Sequence, residues 1–125
     1  MNITMEIDET ANLRTHRVTG DLTMDAVFAE LEQVYSKPDF QPDMNVMWDL
    51  RGATITSMSS AEIQRLSDFV AGRWGPGGKS RAALVVSRDF EFGLTRMYEI
   101  FLESRMSVQV QVFRDLDEAM KWIKS

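Results

Sequence analysis

The sequence predicts an α/β domain: a mixed five-stranded sheet, element order β-β-α-β-α-β-α-β-α, with helices packed on the sheet. Three observations carry this. Asn45 to Leu50 and Ala82 to Val86 are short and almost continuously apolar, the signature of strands covered on both faces. Apolar residues three and four apart recur between and after them, as amphipathic helices require. Strict alternation near the start and again at Val108-Gln109-Val110-Gln111-Val112 marks strands with one wet face. Central strands separated by helices are joined as parallel crossover units. With 125 residues, the chain has the length of one domain, residues 1–125.

Taken in order, Ile3, Met5 and Ile7 alternate with polar residues, and a second extended stretch, Leu13 to Val18, follows a turn at residues 8–12, predicting a hairpin. Thr23 caps a first helix whose stripe is Met24, Val27, Phe28, Leu31, Val34 and Tyr35. Leu22 and Val27 occupy the positions of a hydrophobic staple, and Pro38 and Pro42 stop the helix. Ser59-Ser60-Ala61-Glu62 is a capping box that opens a second helix with Ile63, Leu66, Phe69 and Val70 on one face. A third helix is predicted from Asp89 to Ser104, with Phe90, Leu94, Met97, Tyr98 and Phe101 inward and Ile100 and Leu102 widening the apolar face. Strand 108–112 is expected at a sheet edge. Asp115 caps a terminal helix that turns Leu116, Ala119, Met120 and Ile123 inward. Val46, Trp48, Leu84 and Val86 are the expected central core.

Composition excludes several chemistries. There is no cysteine, which removes thiol catalysis, zinc knuckles and disulfides together, and fits a reducing compartment. His16 is the lone histidine, so a multi-histidine metal site cannot be built; its place between Thr15 and Arg17 reads as a solvated residue on an outer strand. The net charge is −5, with ten acids and three bases in residues 1–50 against nine acids and eleven bases in residues 51–125. An acidic chain without an arginine run is a poor match for a phosphate backbone, so no nucleic acid is expected. No stretch approaches the roughly 18 apolar residues of a membrane span, and a signal peptide is not recognisable at the start; the cytoplasm is the expected location. Gly75-Pro76-Gly77-Gly78-Lys79-Ser80 superficially resembles a phosphate loop, but the required first glycine is Arg73 and the segment precedes a strand, so it reads as a connection.

Four segments together resemble one known family: Val18-Thr19-Gly20-Asp21-Leu22-Thr23, Trp48-Asp49-Leu50-Arg51-Gly52-Ala53, Gly93-Leu94-Thr95-Arg96-Met97-Tyr98-Glu99 and the stretch from Val112 to Ile123. They are similar to the SpoIIAA-like family of small bacterial proteins, relatives of the STAS domain and, more remotely, of CRAL-TRIO lipid-binding domains. The resemblance implies the sheet-and-helix fold derived above and a non-enzymatic regulatory or protein-interaction role. Its CRAL-TRIO side, with the broad apolar face of the third helix, implies the alternative of a small apolar ligand or lipid. STAS proteins of the antagonist type are switched by phosphorylation of a serine in an Asp-Ser-Ser-Gly stretch after a strand ending in Asp-Leu. The counterpart here runs from Asp49-Leu50 to Ser57-Met58-Ser59-Ser60, where Met58 stands at the phosphoserine position and only Ser59 matches the motif.

The remaining candidate site is positional. Ligands of open parallel sheets bind beyond the carboxyl ends of the strands, and the last three strands here end in Leu50-Arg51, Ser87-Arg88 and Phe113-Arg114. Beside them lie helix starts at Ser59, at Ser87 or Asp89, and at Asp115, so Arg51, Ser57, Ser59, Arg88 and Arg114 form a candidate rim for an anion or a protein partner. The alternative is ordinary pairing of the arginines with Asp49, Asp89 and Asp115. No catalytic set, cofactor or metal is expected. A protein partner is expected, and the unguarded edge strand can pair two copies as a homodimer.

Overall fold

The computed structural model describes residues 1–55, 58–74 (Trp74 by its backbone alone), 80–105 and 109–125. Ser57, the Gly-rich connection at 75–79 and Val108 lie outside the described residues. β1 (Asn2–Asp8) and β2 (Leu13–Asp21) form the antiparallel hairpin. Its turn is held by Asp8, whose carboxylate accepts the Ala11 amide at 3.1 Å, and by Asn12 at φ 53°, a left-handed conformation asparagine tolerates. In α1 (Met24–Tyr35), Thr23 Oγ1 accepts the Ala26 amide at 3.3 Å, as the capping argument requires.

β3 (Asn45–Thr54) runs four residues past Leu50, and β4 is Arg81–Val85. Between them is α2 (Ser60–Trp74), entered through a reciprocal capping box: the Glu62 amide donates to Ser59 Oγ at 3.2 Å and Glu62 Oε1 accepts the Ser59 amide at 3.1 Å. α3 (Asp89–Glu103), β5 (Gln109–Phe113) and α4 (Leu116–Lys124) complete the chain. Asp115 caps α4 by accepting the Asp117 and Glu118 amides.

Among the described residues the strands lie in chain order, β1-β2-β3-β4-β5, and β2 to β5 are mutually parallel. Each crossover therefore steps one strand in the same direction, which places α1, α2 and α3 on one face of the sheet. There their apolar stripes share a core with Val18, Leu50, Leu84, Val86, Val110 and Val112. α4 covers the other face, packing Ala119 and Ile123 on Met47, Ala83 and Val85. Because the strand order never reverses, the sheet has no switch point, and so lacks the crevice at which parallel sheets ordinarily take ligands.

Three expectations are corrected. His16 is 0% exposed, because β2 lies inside the sheet with α1 over it. Trp48 is only partly buried, its ring lying flat against that of His16 at 4.2 Å. In α3, Leu94, Met97, Tyr98 and Phe101 pack against the core as expected and Leu102 is buried, but Phe90 and Ile100 are 59% and 55% exposed, and the polar residues Glu91, Thr95 and Glu99 are buried beside the apolar ones.

Candidate functional site

The rim was built from strand ends, and the structure gives each of its arginines a partner. Arg51 forks onto Asp49 with Nε and Nη2 at 2.8 and 2.9 Å. Asp49 is buried and also takes Arg17 at 3.3 Å; the Arg51 hydrogen bonds hold its carboxyl below the usual range. Arg88 donates to Glu91 at 2.6 Å and to the Ala53 carbonyl at 3.1 Å. Arg114 pairs with Asp89 and lies 4.8 Å from the centre of the Phe92 ring. The pairing partners are thus Asp49, Glu91 and Asp89; Asp115 is occupied as a cap. The amino-terminal cap of α3 is Arg88, without a side-chain hydrogen bond, in place of the expected Ser87 or Asp89; Ser87 Oγ instead donates to the Arg51 carbonyl at 3.1 Å. These bonds string Arg51, Ser87, Arg88, Asp89 and Arg114 along one rim. Ser59 has its hydroxyl engaged with Glu62 on both its donor and its acceptor side.

At the opposite end of the parallel strands lies a buried polar chain that the sequence does not announce. Arg14 and His16 alternate on the helix-covered face of β2. Arg14 Nε donates to His16 Nε2 at 2.9 Å, and His16 Nδ1 meets Glu30 Oε2 of α1 at the same distance. The guanidinium always presents a hydrogen, so Nε2 must offer its lone pair and Nδ1 must carry the ring proton that is donated to Glu30. His16 is thereby fixed as a neutral donor–acceptor bridge. Burial, reinforced by the Arg14 charge, lowers its pKa from 6.5 to about 3. Burial likewise raises the Glu30 carboxyl, against the pull of Lys37 and Arg14.

Arg14 stands where two voids meet. One is an apolar cavity of about 90 Å³ between the sheet and the helix layer, lined by Leu31, Trp48, Leu84, Tyr98 and Val110 among others. The other, about 120 Å³, lies under the segment after α1 and is lined by Met5, Val34, Lys37, Phe40 and Gln41.

α3 contributes the third feature. Glu91 accepts the Ile55 amide at 3.2 Å in addition to Arg88, Thr95 Oγ1 donates to the Glu91 carbonyl at 2.8 Å, and Glu99 pairs with Arg96. Burial outweighs Arg96 and raises the Glu99 carboxyl. These polar groups share the buried side with Leu94, Met97, Tyr98, Phe101 and Leu102, and the apolar residues Phe90 and Ile100 face out.

No protein-family profile matches the chain, and no curated protein sequence matches it significantly. Among solved structures, the chain is similar to an uncharacterized protein of the DUF3478 family with a SpoIIAA-like fold, from Shewanella loihica PV-4. The TM-score is 0.60 at 17% identity, over 98% of this chain and 92% of that one. The chain therefore has a SpoIIAA-like α/β fold. At that identity the likeness extends to the architecture alone.

Proposed function

We propose that this chain is a non-enzymatic, STAS-like regulatory module of the bacterial cytoplasm that contacts a protein partner through the outer face of α3. The observation that carries the reading is the outer face of that helix, where Phe90 and Ile100 are exposed although the polar residues Glu91, Thr95 and Glu99 are buried. Ten residues of helix separate the two, about 15 Å, the scale of a contact patch. Two large apolar side chains exposed on one helix offer a partner two anchor points along its outer face. The lone histidine supports the non-enzymatic reading, since both its ring nitrogens are bonded and it is sealed from solvent. The rim arginines Arg51, Arg88 and Arg114 adjoin the start of α3 through Ser87, Glu91 and Asp89, so an anion bound there would change the charge of the contact surface without altering the fold.

The test compares wild type with the double change Phe90→Ser and Ile100→Ser as baits in lysate of the source organism. Loss of a stoichiometric partner from the variant, with unchanged circular dichroism, is expected. Equal capture by both proteins would remove α3 from the account. A second reading, a small apolar ligand, is favoured by the cavity between sheet and helices.

A further inference from the structure

Arg14 is 3% exposed, yet among the described residues no carboxylate hydrogen-bonds or ion-pairs with it. Its Nε is taken by neutral His16, and Glu30 lies on the far side of that ring. The Phe40 ring covers one face of the guanidinium, with its centre 5.6 Å from the carbon. Among the described residues, the two terminal nitrogens make no hydrogen bond. What remains is the open end of a planar fork, the part of arginine that matches a carboxylate in bidentate fashion. A buried cation in this position is costly unless an anion meets it. The two voids described above both reach this group, and the larger share of the inner one is hydrocarbon.

From this geometry, and resting on the small-ligand reading, we infer that the chain binds a short-chain monocarboxylic acid, its carboxylate on the terminal nitrogens of Arg14 and its apolar body in the inner cavity. The size follows from the volume. An engineered cavity of about 150 Å³ accepts benzene, so about 90 Å³ fits a body of roughly three to five carbons and excludes long acyl chains. The outer void carries Lys37 together with the carboxylates Glu9 and Asp39, so the selection for an anion falls to Arg14 at the junction of the two voids and not to the charge of the outer wall. Apart from Arg14 the wall of the inner cavity carries, among the described residues, no further cation, only hydrocarbon and the side chains of Tyr35, Thr95 and Tyr98, so the additional charges of a phosphate or a dicarboxylate would go without a counter-charge.

The probes are 3-methylbutanoate, its neutral counterpart 3-methylbutan-1-ol, and octanoate, each titrated into the full chain and followed by amide chemical shifts. The acid should bind at least tenfold more tightly than the alcohol, with shifts centred on β2 and α1, and octanoate should bind more weakly than the short acid. Arg14→Met should abolish the preference for the acid while leaving alcohol binding in place. Equal binding of acid and alcohol would overturn the carboxylate assignment and leave the apolar cavity standing. Binding of neither would overturn both. The acid-to-alcohol comparison uses wild-type protein, so the inference is decided even if Arg14→Met does not fold.

Discussion

His16 makes the stability of this fold depend on pH in a way that can be calculated. In the folded chain its pKa lies at about 3, against 6.5 for the free side chain. Below pH 6.5 the unfolded chain takes up a proton that the folded chain refuses, so stability falls as pH drops through that value and continues to fall toward pH 3. Each pH unit within this window costs about 1.4 kcal/mol, so lowering the pH from 7 to 5 should remove about 2 kcal/mol. That is a large fraction of the roughly 5–15 kcal/mol that holds a domain together. Glu30, with its raised carboxyl, acts in the opposite direction, because a folded state that binds protons more readily gains stability on acidification. The perturbation that separates the two is His16→Gln, which keeps an acceptor for Arg14 and a donor for Glu30 but cannot titrate. Urea unfolding followed by tryptophan fluorescence at pH 7, 6 and 5 reads the difference. Wild type should lose about 2 kcal/mol more than the variant across this range. Parallel profiles, or a His16 resonance titrating near 6.5, would refute the neutral, sealed bridge.

Other consequences are simpler. Leu84 is buried at the centre of the sheet, and Leu84→Ala should cost about 2–5 kcal/mol by chemical denaturation; a loss below about 1 kcal/mol would place β4 at the periphery. Ser59→Ala removes the capping-box hydroxyl and should cost about 0.5–2 kcal/mol, and an unchanged melting midpoint would mean that α2 starts elsewhere. β5 ends the sheet with Gln109 and Gln111 exposed and no charge within it, so sedimentation at rising concentration should show a dimer that Gln109→Lys weakens. A strictly monomeric chain would contradict that edge pairing.

The parts of the fold that were legible in the sequence are those fixed by local chemistry. Thr23, Ser59 with Glu62, and Asp115 have short polar side chains in front of apolar stripes, and each caps the helix it precedes. The central strands were legible because only burial on both faces tolerates a continuous apolar run. β2 was legible as a strand of the hairpin but its faces were not, because Leu13 and Val18 are five residues apart and so face opposite sides of the sheet; the alternation gives no parity, and Arg14 and His16 could be assigned to either face. α3 was legible as a helix with Leu94, Met97, Tyr98 and Phe101 inward, but the outward setting of Phe90 and Ile100 was missed for a related reason. Its apolar residues at 90, 92, 94, 97, 98, 100, 101 and 102 run almost all round the helix, so periodicity cannot choose which face turns inward. The choice is made by partners: the Ile55 amide and Arg88 meet Glu91, and the exposed Arg96 reaches back to pair with buried Glu99. The spacing of Arg88 and Glu91, three apart at a helix start, was the one available signal. The rim arginines were legible in position, since a strand end is readable, but their partners depended on side-chain reach across neighbouring loops.

The most direct test of the central claim, that the outer face of α3 is where a partner docks, is site-specific photo-crosslinking. A photoreactive residue is placed at Ile100, and in a control at Thr4, an exposed position on the opposite side of the sheet. In cells of the source organism, the probe at 100 should yield one discrete crosslinked protein that is lost when Phe90→Ser is added, and the probe at 4 should not yield it. The same product from both positions, or its survival after Phe90→Ser, would contradict the account.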